Sequence, residues 1–234
     1  MKIKVLGTRG EVESSSPNHL KHSGVLVDSE ILFDLGEKEF LDYHPHRIFI
    51  THLHPDHAFF VTEPAEIHVP LYAPEAFKES VPIHVLENDK DFDAYRVTPI
   101  PVHHSLRVKS LSYLLQKEDA RILYTGDMIW IDKAYHPLLG RLDLVITEGS
   151  FFRRGGHVNR DKTTGQIYGH TGIPNLIHLF RDFTKNILFV HFGEWFFEDV
   201  RGAKQSLREL GRENDVNVIV GYDGLELNLA DLPV

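Results

Sequence analysis

The chain has 234 residues, with 25 basic and 34 acidic side chains, and a formal net charge of −9 with histidine neutral. This length and a hydrophobic content of 42% are sufficient for a packed core and exclude a wholly disordered chain. The excess of acidic residues argues against a surface that binds polyanions. The absence of cysteine excludes disulfides, thiolate metal ligands and cysteine nucleophiles. No apolar run approaches the ~18–20 residues of a membrane span, and together with the missing cysteines this predicts a cytoplasmic protein.

Short segments that are apolar, or in which polar and apolar residues alternate, predict strands through the first two thirds of the chain. The sequence predicts a strand at 2–6, a hairpin of 24–28 and 30–34, a short helix at 37–43 and a buried strand at 47–50. Further extended segments are predicted, in chain order, at 67–72, 81–86, 95–102, 111–116, 122–125 and 142–147.

The last third of the chain has a different pattern. Apolar residues at helical spacing from Ile173 to Phe180 predict a half-buried helix within 171–183. The same spacing from Val200 predicts a second helix that ends near Gly211. Strands are predicted at 186–190, 216–220 and 225–229. Because no linker or repeat divides the chain, we expect residues 1–234 to form one domain in which helices cover sheets.

A dense histidine motif follows the predicted strand 47–50. His52 and His54 lie two residues apart, so their imidazoles point to the same side of an extended backbone. The following proline bends the chain, which allows Asp56 and His57 to turn toward the same space. Imidazole nitrogens and a carboxylate oxygen form a ligand set that a divalent cation such as zinc accepts. Because closed structural zinc sites normally use cysteine, we expect an open site that retains a water.

The chain carries sixteen histidines, and most give a weaker signal. The pairs His19/His22 and His44/His46 are interpreted as surface residues, because a stray pair of histidines is more often exposed than bound to metal. A histidine-rich surface turn is also the alternative interpretation of the stronger motif. Its position at the end of an apolar strand favours the metal site.

With this motif the sequence resembles the metallo-β-lactamase-fold superfamily, whose signature is HxHxDH. The family pattern continues with a third histidine after a strand, for which His104 is favoured over His103. An aspartate at a strand end follows, matched by Asp127 in Leu-Tyr-Thr-Gly-Asp, and the final histidine after a late strand is His191. The resemblance covers residues 2–229.

The resemblance implies a four-layer αββα sandwich of mixed, mostly antiparallel sheets with two metal ions at one edge. The implied ligands are His52, His54 and His104 for one metal, Asp56, His57 and His191 for the other, and Asp127 as a bridge between the two. Zinc is the first expectation, with manganese or iron as alternatives, because all three accept histidine and carboxylate ligands. The alternative interpretation is that Asp127 is a turn carboxylate and that His104 and His191 are simply buried.

The remaining motifs favour one branch of the superfamily. The lactamase branch that ligates metal with cysteine is excluded, and His54 stands where the di-iron oxidoreductases carry glutamate. His170 precedes His191 by 21 residues and opens the predicted helix 171–183. This offset, and the Ile-Thr-Glu-Gly-Ser segment at 146–150, resemble the ribonuclease Z and cyclic-phosphate phosphodiesterase branch. The alternative for His170 is a solvent-facing residue at the start of a helix.

This resemblance implies a metal-dependent hydrolase, with a phosphodiesterase favoured. A hydroxide held between two metals would attack phosphorus, His170 would protonate the leaving group, and Asp56 would hold a metal and orient the nucleophile. The basic segment 153–162 is predicted to be a loop, in which Arg153, Arg154 and His157 are the candidate substrate-binding residues. A merely solvated loop is the alternative.

A small or cyclic phosphodiester is the favoured substrate. The net charge of −9 and the lack of an insertion able to form an RNA-binding arm argue against structured RNA, which stays an alternative. Two other functions remain open: an ester, thioester or lactone hydrolase that uses the same hydroxide, and a non-catalytic metal-binding or sensor protein. No membrane partner is expected, and the oligomeric state is left open, with a homodimer as one alternative because dimers are common among similar proteins.

Overall fold

The computed structural model describes residues 1–78 and 81–233. Its strands are β1 (Lys2–Gly7), β2 (Gly24–Val27), β3 (Ile31–Phe33), β4 (Arg47–Phe49), β5 (Leu71–Ala73), β6 (Ile83–Val85), β7 (Lys90–Phe92), β8 (Tyr95–His103), β9 (Leu111–Lys117), β10 (Ala120–Tyr124), β11 (Trp130–Ile131), β12 (Leu144–Gly149), β13 (His157–Arg160), β14 (Ile167–His170), β15 (Asn186–Phe192), β16 (Asn217–Val220) and β17 (Glu226–Asn228).

Helices are fewer than strands, and the longest of them is α4 with 14 residues. The α-helices are α1 (His136–Leu139), α2 (Ile173–Phe180), α3 (Glu194–Glu198) and α4 (Val200–Glu213). The 3₁₀ helices are Lys38–Tyr43, Phe59–Val61, Lys133–Tyr135 and Leu229–Asp231. Within the described residues, no helix is long and apolar enough to cross a membrane.

The strands form two large mixed sheets and one hairpin. The first sheet has the order β17-β1-β2-β3-β4-β5-β6, and the pairs from β3 to β6 are parallel. The second has the order β11-β8-β9-β10-β12-β15-β16, with β7 beside β8, and the pairs from β10 to β16 are parallel. Strands β13 and β14 pair only with each other.

The two sheets pack face to face over an aromatic core. Phe33 of the first sheet stacks on Tyr124 of the second with ring centroids 5.1 Å apart, and Phe49 meets Tyr113 edge to face at 5.5 Å. Helices α2 and α4 cover the outer face of the second sheet. The outer face of the first sheet packs against loops and two 3₁₀ helices. The expected four layers are therefore present, although one outer layer contains no α-helix within the described residues.

Several element predictions are confirmed and others need correction. The strands β8, β9, β10 and β12 and the helices α2 and α4 lie close to their predicted positions, whereas β11 was not predicted and 37–43 forms a 3₁₀ helix. Helix α3 was not predicted. The prediction that 153–162 is a loop is wrong in part, because it contains strand β13. The helix predicted within 171–183 is shorter than that range, because α2 spans Ile173–Phe180.

Candidate metal centre

Strand direction brings the candidate residues to one edge of the sandwich. Strands β10, β12 and β15 are parallel, and β8 runs in the same direction because both β8 and β10 are antiparallel to β9. The carboxyl ends of these strands therefore meet at the same edge. His104 follows β8, Asp127 follows β10 and His191 lies near the end of β15. From the first sheet, β4 ends at Phe49 just before the His52 motif.

Three histidines form the first half of the site. His52 Nε2 lies 3.0 Å from His54 Nδ1, which in turn lies 3.3 Å from His104 Nε2. These three nitrogens all lie within 4.8 Å of one another, which is the arrangement of a group that can hold a metal ion. His52 and His104 are buried, and His54 is half-buried. The structure thus brings together the three residues that the sequence assigns to one metal.

The second half of the site contains Asp56, His57 and His191. Asp56 Oδ2 lies 2.9 Å from His191 Nε2 and 3.6 Å from His57 Nε2. These three residues are buried, and their ligand atoms form another group able to hold a metal. The structure therefore also brings together the residues that the sequence assigns to the other metal.

Asp127 lies between the two halves. Its Oδ2 is 3.8 Å from both His52 Nε2 and His104 Nε2. Its Oδ1 is 3.4 Å from both His57 Nε2 and His191 Nδ1. One carboxylate thus directs one oxygen toward each group, which is the placement expected of a bridging ligand. We refer to these seven side chains, His52, His54, Asp56, His57, His104, Asp127 and His191, as the histidine–aspartate cluster.

Two atoms inside the histidine–aspartate cluster test whether it fits a cation. His57 Nε2 and Asp127 Oδ1 are buried and have no hydrogen-bond partner within the described part of the chain. Leaving buried polar atoms unpaired costs about 1–3 kcal/mol each. A divalent cation accepts both a nitrogen and a carboxylate oxygen, and would satisfy both atoms at once. The residues present therefore fit a metal site.

Asp34, which the sequence analysis did not identify, orients His57. Its Oδ2 accepts a hydrogen bond from His57 Nδ1 at 2.7 Å and from the Tyr124 hydroxyl at 2.8 Å. Its Oδ1 accepts from the backbone N–H of Thr51 at 2.7 Å. The bond to Nδ1 leaves the Nε2 lone pair of His57 facing the centre of the cluster. The sequence signal that could have identified Asp34 is its position directly after the apolar run of β3.

The other histidines are oriented by similar bonds. His52 Nδ1 lies 3.1 Å from the Thr51 hydroxyl, which is also bonded to Asp34, and His104 Nδ1 lies 3.1 Å from the carbonyl of Gly169. A carbonyl can only accept, so His104 carries its proton on Nδ1 and turns the lone pair of Nε2 toward the cluster. Burial lowers the pKa of His104 to about 4, which keeps this imidazole neutral at physiological pH.

Electrostatics in the second half favour positive charge. Burial opposes protonation of His57, but the neighbouring carboxylates Asp127, Asp56 and Asp34 outweigh it and raise the pKa of His57 well above its ordinary value. Burial likewise opposes ionisation of Asp56, yet His57 and His191 hold the pKa of Asp56 below its usual range. The carboxylates that attract these protons also attract a cation, so we expect metal binding to release protons.

His170 lies beside the cluster, held by Glu148. The His170 Nδ1 lies 2.8 Å from Glu148 Oε2 and 3.9 Å from Asp127 Oδ2. The other Glu148 oxygen accepts the backbone N–H of Met128 at 2.7 Å. Burial opposes protonation, but Glu148 and Asp127 raise the pKa of His170 to about 9. His170 is the last residue of β14, so the prediction that it opens a helix is wrong.

The structure separates the two adjacent histidines at the end of β8 and directly after it. His104 faces the histidine–aspartate cluster, whereas His103 is half-buried and its Nε2 lies 3.1 Å from Asp132 Oδ1. His103 also contacts the ring of Trp130 edge to face. The structure therefore brings His104, and not His103, into contact with the candidate ligands.

The candidate substrate-binding residues lie around the β13–β14 hairpin. Arg153 donates from Nε to the carbonyl of Gly156, so its guanidinium is used within the turn that leads to β13. Arg154 is exposed. His157 stacks on Phe151 at 5.8 Å, and Phe151 lies 5.8 Å from His170. The Phe151 ring therefore lies next to both imidazoles, and His157 is also the pairing partner of His170 in the β13–β14 hairpin.

One further correction concerns His19. The sequence analysis interpreted it as a surface residue, but it is fully buried beneath Phe192 and Phe196. Its position depends on long-range packing of the N-terminal segment against the end of β15. Of the other histidines interpreted as surface residues, His22 is half-buried, and His44 and His46 are exposed.

Comparison with known sequences identifies the family. The model of the beta-lactamase superfamily domain matches residues 41–192, well over half of the chain, and this range contains every residue of the histidine–aspartate cluster. The chain belongs to the beta-lactamase superfamily. A separate search of curated proteins found no match to the chain.

Solved structures show the same fold. The metallo-beta-lactamase fold protein YhfI from Bacillus subtilis is 17% identical, covers 97% of this chain and 98% of its own, and superposes with a TM-score of 0.70. A diphosphatase from the PhnP family is 18% identical, with 97% of each chain covered and a TM-score of 0.67. The short form of human tRNase Z is 18% identical over 100% of both chains, with a TM-score of 0.64. The expected metallo-β-lactamase fold is confirmed.

Proposed function

We propose that this protein is a metal-dependent hydrolase of phosphodiesters, with a small or cyclic phosphodiester as the favoured substrate and two zinc ions as the favoured cofactor. The observation that carries the proposal is the position of His170, whose imidazole is held by Glu148 beside the bridging candidate Asp127. A proton donor at this position suits a reaction that expels a basic alkoxide. The names of the PhnP-family diphosphatase and tRNase Z, both acting on phosphate linkages, support this choice of bond.

The side chains divide the work between binding and proton transfer. When bound, two divalent cations would supply a water of lowered pKa and positive charge beside the phosphoryl oxygens. The histidine–aspartate cluster holds the cations. Asp56 also lies where its carboxylate can orient the attacking water. His170 keeps Nδ1 on Glu148 and thus presents Nε2 as the atom that donates a proton to the leaving oxygen.

Residues of the β13–β14 hairpin complete the proposed site. Arg154 is exposed and carries the positive charge that suits a substrate phosphate. Arg153 and His157 contribute less directly, since Arg153 is bonded to Gly156 and His157 is stacked on Phe151. We propose that they fix the hairpin against the site.

Activity with defined substrates tests the proposal. Protein loaded with Zn²⁺ or Mn²⁺ is expected to hydrolyse bis-p-nitrophenyl phosphate or a 2′,3′-cyclic nucleotide. Hydrolysis of a lactone, thioester or carboxylic ester without phosphodiester hydrolysis would instead favour the carbonyl hydrolase. Metal binding without turnover of either class would favour a sensor.

The variant His170→Asn tests the proton donor. His104, Asp127 and His170 also form a group that can hold a metal, so His170 has a ligand role as its competing function. As a proton donor, its loss is expected to slow turnover by roughly 10²–10⁴-fold while both metals stay bound. The loss is expected to be smaller for p-nitrophenolate than for an alkyl leaving group, because p-nitrophenolate departs without a proton. Loss of one metal, or equal losses for the two leaving groups, would contradict the assignment.

A further inference from the structure

The candidate ligand His191 has an unusual backbone. Its φ is +50°, in the left-handed region that residues other than glycine seldom adopt. It sits at an irregularity in the pairing of β12 with β15, where Glu148 pairs with Val190 and the next residue, Gly149, pairs with Phe192. Such a conformation persists only where surrounding contacts fix it. The contacts that fix His191 are therefore part of the architecture of the site.

Ser150 Oγ contacts His191 Nδ1 at 3.0 Å and donates to its carbonyl at 3.4 Å, and the N-terminal segment supplies contacts on either side of the neighbouring Phe192. The backbone N–H of Phe192 donates to the carbonyl of Thr8 at 2.8 Å, and the N–H of Gly10 donates to the carbonyl of Phe192 at 3.0 Å. A Cβ atom on Gly10 would lie 2.9 Å from His191 Cε1, so this segment also forms a wall against the imidazole. A shift of Thr8 would thus disturb both the backbone and the ring of His191.

Thr8 is in turn fixed by two side chains, the buried His19 and the half-buried Asp223. Its hydroxyl lies 2.8 Å from Asp223 Oδ1 and 2.8 Å from His19 Nδ1. The single hydroxyl proton goes to the carboxylate, so the hydroxyl oxygen accepts from His19 Nδ1–H. The second oxygen of Asp223 accepts the backbone N–H groups of Leu20 and Lys21 at 2.7 and 3.0 Å. Three segments distant in sequence therefore converge on Thr8.

The surroundings of His19 show that its polar contact with Thr8 is made by Nδ1. The ring is fully buried and meets Phe192, Phe196 and Phe197 edge to face. Its Nε2 has no hydrogen-bond partner in the part of the chain that the structure describes. An apolar side chain would fill this space without an unpaired nitrogen. The bond from Nδ1 to Thr8 is the one polar contact that the structure records for this ring.

We propose that Thr8, His19 and Asp223 form a positioning network that holds His191 in its left-handed conformation and so maintains one of the two metal sites. The proposal rests on the proposed function, because it takes His191 as a metal ligand. It assigns the network to the site of Asp56, His57 and His191, and not to the site of His52, His54 and His104. These three residues are positioning residues and touch neither metal nor substrate.

Zinc affinity tests the network without relying on activity. Wild-type protein and the variants His19→Leu and Thr8→Val are titrated with Zn²⁺ against a chromophoric chelator, which reports each bound ion and its affinity. His19→Leu removes the Nδ1 donor, and Thr8→Val removes the hydroxyl. We expect each to weaken one of the two zinc ions by about tenfold or more and to leave the other unchanged.

Conservative variants and a destabilised control separate positioning from general stability. Thr8→Ser keeps the hydroxyl and His19→Asn keeps a donor close to Nδ1, so both are expected to restore affinity at least in part. Val97→Ala, which opens a cavity in the buried core between the sheets, is expected to lower the Tm without changing either zinc affinity. Because Thr8→Val is nearly isosteric, it serves as the test if His19→Leu fails to fold.

The outcomes distinguish this inference from the proposed function. Two zinc ions bound by the wild type and bound equally tightly by folded Thr8→Val would overturn the network, while the metal centre would stand. Equal weakening of both ions would also overturn it, since it would show an effect on the whole fold. Absence of zinc binding by the wild type would overturn both proposals.

Discussion

The position of the proton on each imidazole decides what the site can bind. His57 has Nδ1 on Asp34 and His104 has Nδ1 on the carbonyl of Gly169, so each turns Nε2 inward. Histidine binds a metal through an unprotonated nitrogen, and the acceptor on the other nitrogen selects which one is free. Asp34 and Gly169, which determine the nitrogen that carries the proton, are therefore as important for metal binding as the candidate ligands.

Asp34 gives the first prediction at this scale. Replacing it in Asp34→Asn removes the negative charge that supports His57 and is expected to weaken zinc binding by roughly 10–100-fold. Competition with a chelator measures the change. Tyr124→Phe is the matched control, because it removes only the hydroxyl that donates to Asp34. Zinc affinity equal to that of the wild type in Asp34→Asn would show that Asp34 does not support the site.

The sequence was sufficient to single out the candidate ligands and insufficient to find the residues that orient them. The motif of His52 to His57 is local, and the remaining candidates lie at or just after the ends of strands, so their residue types and positions carried a signal. Asp34, Glu148 and His19 act through contacts across more than 10 positions of sequence. No local pattern encodes such pairings, and this is why the sequence placed His19 on the surface.

At the scale of elements, the β13–β14 hairpin shows how tertiary contacts override local pattern. Its strands, His-Val-Asn-Arg and Ile-Tyr-Gly-His, lack the alternation of apolar and polar residues that predicts a strand. The hairpin is nevertheless joined to His104 by two bonds: Gly169 donates its N–H to the carbonyl of His104 and accepts from His104 Nδ1. It therefore connects the proposed substrate-binding side with a candidate ligand.

Gly169 provides a prediction for this element. Its φ is +115°, and a Cβ there would lie 2.0 Å from the carbonyl oxygen of His157. Gly169→Ala is therefore expected to separate β13 from β14 and to weaken the zinc ion bound by the three-histidine group. The control Gly165→Ala also has a positive φ, at +75°, but nothing lies within 4 Å of its Cβ.

Thermal unfolding and zinc titration of both glycine variants measure the effect. We expect Gly169→Ala to lower the Tm and to weaken zinc binding, and Gly165→Ala to lower the Tm only slightly with normal zinc binding. Equal zinc affinities in the two variants would show that the hairpin does not position His104.

At the scale of the whole molecule, the shared direction of β8, β10, β12 and β15 brings the candidate ligands at their carboxyl ends to one edge of the sandwich. Most strands and the two longer α-helices were predictable because each has its own apolar pattern. The pairing order of the two sheets and the 3₁₀ helices on one outer face were not, since they depend on contacts between distant segments. The predictions of a single domain over 1–234 and of a cytoplasmic location, and the alternative of a homodimer, rest on the sequence alone.

The burial of His19 makes a prediction for the stability of the whole protein. Burial, with a smaller contribution from Lys204, lowers the pKa of His19 from 6.5 to about 4. Between these pH values the unfolded chain takes up a proton that the folded protein does not. The free energy of unfolding is therefore expected to fall as the pH drops from 6.5 toward 4, by on the order of 2–3 kcal/mol for this group.

Denaturant unfolding at a series of pH values, with excess chelator to remove metals, measures this contribution. The difference in unfolding free energy between wild type and His19→Leu is expected to be constant above pH 7 and to shift in favour of His19→Leu as the pH falls toward 4. A difference that stays constant over the whole range would show that His19 does not titrate as its burial requires.

Crystals of the protein grown with zinc test the central claim, that seven side chains from both sheets converge to hold two cations. Anomalous diffraction at the zinc edge locates the ions directly. We expect two peaks in each chain, one beside His52, His54 and His104, the other beside Asp56, His57 and His191, with Asp127 contacting both. A map with no peak among these residues, or with zinc only at surface histidines, would contradict it.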